Sequence, residues 1–329
     1  MKRRDLQRAW KKLAAIESPD ALEQKTVRES TATFLQHCHQ LEASTLRKYR
    51  NILVKFAAFC AGAGIESMDE LVLPQIDSYW AGRGLARTTA GKELQTLKQF
   101  FGFCVERNWM RENLAKKIKP LKAKAAPVVP YTAAEVACMT AACESIGRIS
   151  YERLRARAML LTLRYTALRI SDVATLERDR VNGGRILLHA QKNGGAVFLP
   201  IPNELVRAFD MLPAPRGSIG EPRYFFWNGI TSRRAVVGIA ERTLAAVFRK
   251  SKVKDAHAHR FRHTLATEIL VKGGTLQDVA DVLGVSPEIA RRHYAKWTQA
   301  RQDRIDNLMQ MVHPAGTFLA QTEKRAVVN

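Results

Sequence analysis

The chain has 329 residues, enough for two domains that each bury an apolar core without disulfide or metal staples. Lysine and arginine number 53 against 31 aspartate and glutamate, a formal net charge of +22, and no apolar run approaches the roughly 20 residues of a spanning helix. A polyanionic partner is expected and a transmembrane protein is excluded, while composition leaves DNA, RNA and an anionic membrane surface open.

The start, Met1 to Lys12 (MKRRDLQRAWKK), is basic and lacks the apolar stretch and small-residue cleavage site of a secretory signal. Met1 to Glu17 reads as one basic helix with Leu6, Trp10 and Leu13 on a face, in a cytosolic chain. The cysteines, Cys38, Cys60, Cys104, Cys138 and Cys143, are odd in number and include no CxxC pair. That favours reduced thiols over a disulfide framework or a zinc ribbon.

From Ala43 to Cys60, residues Leu46, Tyr49, Ile52, Leu53, Phe56, Phe59 and Cys60 recur at helical spacing, with Arg47, Lys48 and Arg50 between them. This predicts an amphipathic helix opened by Ser44 or Thr45. A second strong helix is predicted over Thr89 to Arg107, striped by Leu94, Leu97, Phe100, Phe101, Cys104 and Val105. Residues 25–118 thus read as a helical bundle, preceded by a basic extension, 1–24. Arg47, Lys48, Arg50 and Lys92 on its polar faces are candidates for DNA contact; the plainer reading of each is solvation. The stretch PLKAKAAPVVP, within residues 119–130, is the clearest linker.

Beyond it, Thr132 and Glu135 have capping-box spacing, and Arg153 to Tyr165 continues the helical period. The period then changes. Arg185 to His189 and Ala196 to Pro200 read as strands joined by Gln191-Lys192-Asn193-Gly194-Gly195, a hairpin turn. Helices follow near Asn203 to Asp210, Ala235 to Lys250, Phe261 to Lys272, Thr275 to Leu283 and Pro287 to Thr298.

Four segments can carry chemistry. In YTALRISDVATL, Arg169 read alone is a surface arginine with Asp172 at i+3 as its partner. Lys192, beside the hairpin turn, read alone is a solubilising lysine. In HAHRFRHT, His259 and Arg262 share one helical face, and three histidines within seven residues admit a metal site as a minor reading. In the last segment Gly284 suits a helix stop and Ser286-Pro287-Glu288 the next start, leading to Tyr294. A lone tyrosine there is ordinarily a helix anchor.

Taken in order, these segments resemble the tyrosine recombinases, the phage-integrase-like or Xer-like site-specific recombinase family. The resemblance covers about Thr132 to Trp297 by motif and the preceding bundle by layout. It implies a mainly α fold with a small β element: a helical core-DNA-binding (SAM-like) domain over 25–118 and a mixed α/β catalytic domain over 131–312, with a tail at 313–329. It assigns catalytic roles to Arg169, Lys192, His259, Arg262 and the nucleophile Tyr294, with Asp172 in support, and His263 and Thr264 match the His-Thr that follows the family's His-x-x-Arg pattern. One position departs from the family pattern. Val285 stands where a histidine or tryptophan is usual, and valine donates no hydrogen bond. His293 can donate, but its adjacency to Tyr294 points it elsewhere on a helix.

The set makes chemical sense. The phenol of Tyr294 attacks the scissile phosphate to leave a 3′-phosphotyrosyl link, which conserves the bond energy, so neither ATP nor a metal or other cofactor is expected. Arg169 and Arg262 clamp the non-bridging oxygens, His259 accepts the phenol proton, and Lys192 protonates the leaving 5′ oxygen.

The resemblance further implies double-stranded DNA at a specific site as partner. It also implies a homo-oligomer on DNA, a tetramer of two paired dimers, with the tail docking on a neighbour. No membrane role is expected, and the location is cytoplasmic, at the bacterial nucleoid. A catalytically weakened architectural or regulatory DNA-binding protein of the same fold is the alternative, with Val285 as its sign, and a relaxing topoisomerase is a third reading. Only about two dozen residues precede the bundle, fewer than an additional arm-binding domain needs.

Overall fold

The computed structural model describes residues 22–119, 128–189, 196–294 and 299–313. The chain forms two compact units, Met1–Ala126 and Pro127–Asn329.

In the first unit, α1 (Val27–His37), α2 (Ala43–Gly62), α3 (Leu73–Gly82) and α4 (Arg87–Glu106) form a bundle. Thr26 and Glu29 close a capping box on α1, satisfying N–H groups that a helix start leaves free. The stripes of α2 and α4 meet in a core of Leu53, Phe56, Leu94, Leu97, Phe100 and Phe101. Phe56 meets Tyr79 edge-on at 5.3 Å, and each such fully buried ring stabilises the bundle by roughly 1.5–3 kcal/mol. The helix expected to open at Ser44 or Thr45 begins at Ala43 instead. The Glu42 carbonyl accepts from the N–H groups of Thr45 and Leu46 at 2.8 and 3.1 Å, so both residues lie inside the first turn. Between α3 and α4 the buried acid Glu93 accepts from the Tyr79 hydroxyl at 2.6 Å and from Arg83 through both oxygens at 2.7 and 3.0 Å.

The second unit opens with α5 (Ala133–Cys143), capped by the Thr132 and Glu135 box, followed by α6 (Ser150–Thr166) and the short α7 (Ile170–Ala174). A three-stranded antiparallel sheet follows in the order β1 (Val181–Asn182), β2 (Arg185–His189), β3 (Ala196–Pro200). Leu187 pairs with Phe198 in the β2–β3 register. Then come α8 (Asn203–Asp210), α9 (Arg233–Ser251), α10 (Ala258–Val271), α11 (Leu276–Leu283), α12 (Pro287–Tyr294) and α13 (Gln299–Val312). The main core gathers Met159, Leu160, Leu163, Leu205, Leu244, Val247 and Phe261 from α6, α8, α9 and α10.

A second, smaller cluster decides where the chemistry sits. Ala167, Ala266, Leu270, Val279, Ala280, Leu283 and Ala290 pack together with Tyr294. It joins the C-terminal end of α6 to α10, α11 and α12, which carry the HAHRFRHT segment and the segment ending at Tyr294.

Candidate active site

Thr166 ends α6, and Ala167 turns the chain in the left-handed region at φ 50°, fully buried. A non-glycine residue adopts that conformation at a cost of about 1–2 kcal/mol. The turn presents the Ala167 carbonyl to α10 and makes Arg169 the N-cap of α7. On α10, Arg262 is only 4% exposed. Its guanidinium donates to the Ala167 carbonyl at 2.5 Å and to the Leu283 carbonyl, at the end of α11, at 2.7 Å. One side chain thus ties three motif-bearing elements together. The bidentate pair of Arg164 on α6 with Glu268 on α10, at 2.8 and 2.9 Å, fixes the helix that precedes Arg169 against the helix that carries Arg262.

Electrostatics mark the place. Burial and then the nearby Arg169 lower the Arg262 guanidinium to about 10, while Tyr294 and Asp172 pull it upward. The group stays cationic at neutral pH but is under strain that an added anion would relieve. Asp172 is buried and accepts from the Ser171 hydroxyl at 3.2 Å. Burial raises its carboxyl, against the opposing fields of Arg169, Arg233 and Arg262. Tyr294 is 5% exposed; burial raises its phenol, and Arg262 is the charge that opposes the rise.

The histidines lie on the same side. His259 keeps solvent contact, yet desolvation by its surroundings, then Arg262, His257, Arg169 and His293, lowers its pKa. His263, one turn along α10, meets His259 edge-on at 5.2 Å between centroids and the Tyr294 ring at 5.5 Å. His293 lies 6.2 Å from the Tyr294 ring and acts on both His259 and His263. His293 is exposed whereas Tyr294 is buried, so the two neighbours on α12 differ in surroundings. Among the described residues, no group of three or more His, Cys, Asp or Glu is placed to hold a metal.

Arg169, Asp172, His259, Arg262 and Tyr294 are thus drawn into one region. Val285 follows Gly284, whose φ of 57° ends α11. Its N–H donates to the Ala280 carbonyl at 3.0 Å, and its side chain packs on the Tyr294 cluster. Lys192 lies outside the described residues. Arg47, Lys48 and Arg50 on α2 and Lys92 on α4 are all exposed. His263 and His257, which HAHRFRHT contains without a catalytic role assigned to them, and Arg233, which no quoted motif contains, enter the site's field. The i, i+4 spacing of His259 and His263 is the sequence signal that points to the first.

A helical bundle followed by this catalytic unit, with two arginines and a tyrosine converging, defines a DNA strand-transfer enzyme of the tyrosine type. The phage integrase family pattern matches residues 131–301, and the phage integrase SAM-like domain matches residues 26–120. The chain belongs to the phage integrase family. It is 27% identical over 285 residues to the tyrosine recombinase XerC of Pelobacter propionicus, covering 83% of this chain and 90% of that protein. Its fold is similar to that of a lambda integrase dimer bound to a COC′ core site, with a TM-score of 0.66 at 17% identity, covering 86% of this chain and 80% of the other. It is also similar to a lambda integrase tetramer bound to a Holliday junction, with a TM-score of 0.62 at 15% identity and coverage of 87% and 88%. Family and fold favour a recombinase over a binder that has lost cleavage.

Proposed function

We propose that this protein is a site-specific recombinase that cuts and rejoins double-stranded DNA through a covalent link to Tyr294. The observation that supports the reading best is Arg262: a buried cation bonded to two backbone carbonyls, beside Arg169 and the Tyr294 phenol. Fixed donors of this kind suit a phosphate whose charge grows in the transition state. The Tyr294 oxygen forms a bond to phosphorus as the bond to the 5′ oxygen breaks. His259 takes the phenol proton, Lys192 supplies one to the leaving oxygen, and Arg169 and Arg262 hold the non-bridging oxygens. The reverse attack by a 5′ hydroxyl rejoins the strand, so no nucleotide is consumed.

Residues 131–312 carry this chemistry, and residues 25–118 grip the duplex with Arg47, Lys48, Arg50 and Lys92 against phosphates. The basic extension 1–24, the linker 119–130 and the tail 313–329, read from the sequence as docking on a neighbour, lie largely outside the described residues. The lambda integrase neighbours were captured as a dimer on a core site and as a tetramer on a Holliday junction. By that likeness this chain works as a tetramer of two paired dimers on its DNA, at the nucleoid. No helix among the described residues is long and apolar enough to cross a membrane.

Covalent capture tests the reading. Protein is mixed with fragmented host DNA, denatured, and the attached DNA is sequenced. A denaturant-resistant adduct at a recurrent sequence, absent in Tyr294→Phe, is the expected result. A recurrent site that is bound without any adduct would overturn the assignment.

A further inference from the structure

The residue whose ring contacts the Tyr294 ring from α10 is His263. It lies half-buried between two chemically active rings, 5.2 Å from His259 and 5.5 Å from Tyr294. A phenylalanine or leucine would fill a half-buried place against the Tyr294 ring without desolvating a polar ring. An imidazole has two distinct nitrogens, so it can meet one partner on each edge.

We propose that His263 is a positioning residue for the nucleophile: its imidazole nitrogens, held between His259 and Tyr294, orient the phenol for attack and couple its state to His259. The inference rests on Tyr294 being the nucleophile. His263 is also neutral in the working pH range. Burial, then His259, His293, His257 and Arg262, pushes its pKa down to about 4. An uncharged ring at this point orients the phenol without adding a further cation to the surroundings of Arg262 and Arg169. Arg262 is then the charge that favours the phenolate.

Two substitutions separate shape from chemistry. His263→Phe keeps the ring and loses both nitrogens, and His263→Asn keeps polar donors and acceptors on a shorter side chain. The DNA arm uses duplexes of the captured sequence, one with an ordinary scissile phosphate and one with sulfur in place of the 5′ bridging oxygen. The sulfur leaves without a proton, so it relieves defects on the leaving-group side alone.

The expected result is that His263→Phe slows adduct formation by about 10- to 100-fold on both duplexes. DNA affinity and unfolding midpoint stay near wild type, and His263→Asn recovers part of the rate. A His263→Phe protein as fast as wild type would reduce His263 to filler, and full recovery on the sulfur duplex would move its role to the leaving group. The second arm uses no DNA. Carbon-13-labelled tyrosine and imidazole titrations of the free protein follow Tyr294 and His259 by NMR. His263→Phe is expected to shift both midpoints, and unchanged midpoints overturn the coupling. If wild-type protein forms no adduct, the recombinase reading fails, while the NMR arm still decides whether His263 governs the phenol.

Discussion

The two sides of α10 hold buried arginines in opposite ways. Arg260 is 8% exposed and fully answered: it donates to the carbonyls of Val129, Lys254 and Pro130, pairs with Glu135 at 3.1 Å and stacks over Tyr131 at 4.1 Å. Arg262, two residues on and 4% exposed, donates to two carbonyls and has Arg169 as its strongest charged neighbour. Carbonyl dipoles orient a guanidinium without neutralising it. Arg260 is a closed account of charge and Arg262 an open one, so burial alone does not separate a structural arginine from one that awaits an anion. The first unit makes the same point with the opposite sign, because its buried Glu93 is answered by Arg83 and Tyr79.

The largest effect that follows concerns rate. Arg262→Ala, and separately Arg169→Ala, are expected to slow adduct formation by about 100- to 1,000-fold in single turnover on the captured site, the usual consequence of losing a fixed donor to developing charge. Arg262→Ala also leaves the Ala167 and Leu283 carbonyls without this donor, so its unfolding midpoint falls as well. Arg169 caps a five-residue helix without a side-chain cap bond, so its loss is felt mainly in rate.

Arg260→Ala should behave in reverse. It removes this donor from Glu135 and three carbonyls and is expected to cost about 3 kcal/mol of stability, the low end for a broken buried pair because the Glu135 side chain is 27% exposed and keeps the Thr132 N–H. Adduct formation per folded molecule should stay within a few-fold of wild type. Calorimetry and single-turnover assays below the lowered midpoint check both halves. If Arg260→Ala slows cleavage as much as Arg262→Ala while folded, the contrast between the two sides of the helix is wrong.

Much of this was legible in the sequence, and the exceptions have physical causes. The strands Arg185–His189 and Ala196–Pro200 and the helix Asn203–Asp210 fall on their predicted bounds, because turn residues and Pro202 punctuate them sharply. The strand Val181–Asn182 escaped: two residues are too short for alternation to register, and only Gly183 and Gly184, at φ 57° and 68°, mark its turn. Helix α10 starts at Ala258 and not at Phe261, since Arg260 clamps its first turn to residues 129, 130 and 135, a partnership that no local pattern contains. The motifs named Arg169, His259, Arg262 and Tyr294. They did not reveal that Ala167 adopts a left-handed turn to offer its carbonyl, or that the His263 ring packs on the Tyr294 ring.

Acid should weaken the open side of the comparison. His263 has a folded value of about 4, and His259 is lowered too, both below the roughly 6.5 of a free histidine. Between those values the unfolded chain binds more protons. The stabilising contribution is therefore complete above about pH 6.5 and is lost as pH falls toward 4. Asp172 works the other way: its raised carboxyl means that the folded state takes up a proton first, offsetting part of the loss near the bottom of the range. Unfolding midpoints from pH 7.5 to 5 should fall, and less steeply in His263→Phe. An equal slope in that variant would show that His263 is not held neutral by the fold.

Position 285 offers a gain. Val285 packs on the Tyr294 cluster, so a larger polar ring has to displace apolar contact there. Val285→His is expected to lower stability by about 1 kcal/mol. If the histidine reaches phosphate, cleavage should quicken by up to about tenfold, because a hydrogen bond to a charged group contributes roughly 1.5 kcal/mol or more. Faster single-turnover cleavage with unchanged DNA affinity would show that valine leaves transition-state support unused. An unchanged rate would mean that the existing histidines already fill the role.

The smallest effects belong to the first unit, where the exposed cations have the opposite character to Arg262: solvated, replaceable and individually weak. If Arg47, Lys48, Arg50 and Lys92 each neutralise one phosphate, removing any one changes the counterions released on binding by about one, so the slope of log affinity against log salt should become shallower by about 0.9 per residue. The effect should be alike on the captured site and on unrelated duplex, because phosphate contacts position the protein without reading bases. It should leave the single-turnover rate on saturating DNA unchanged, since these side chains lie on the bundle and not on the unit that holds Tyr294. Titrations of the four alanine variants at several salt concentrations distinguish the cases. A variant with the wild-type slope makes no phosphate contact, and one that loses affinity for the captured site alone is reading sequence, which would place base recognition on α2 or α4.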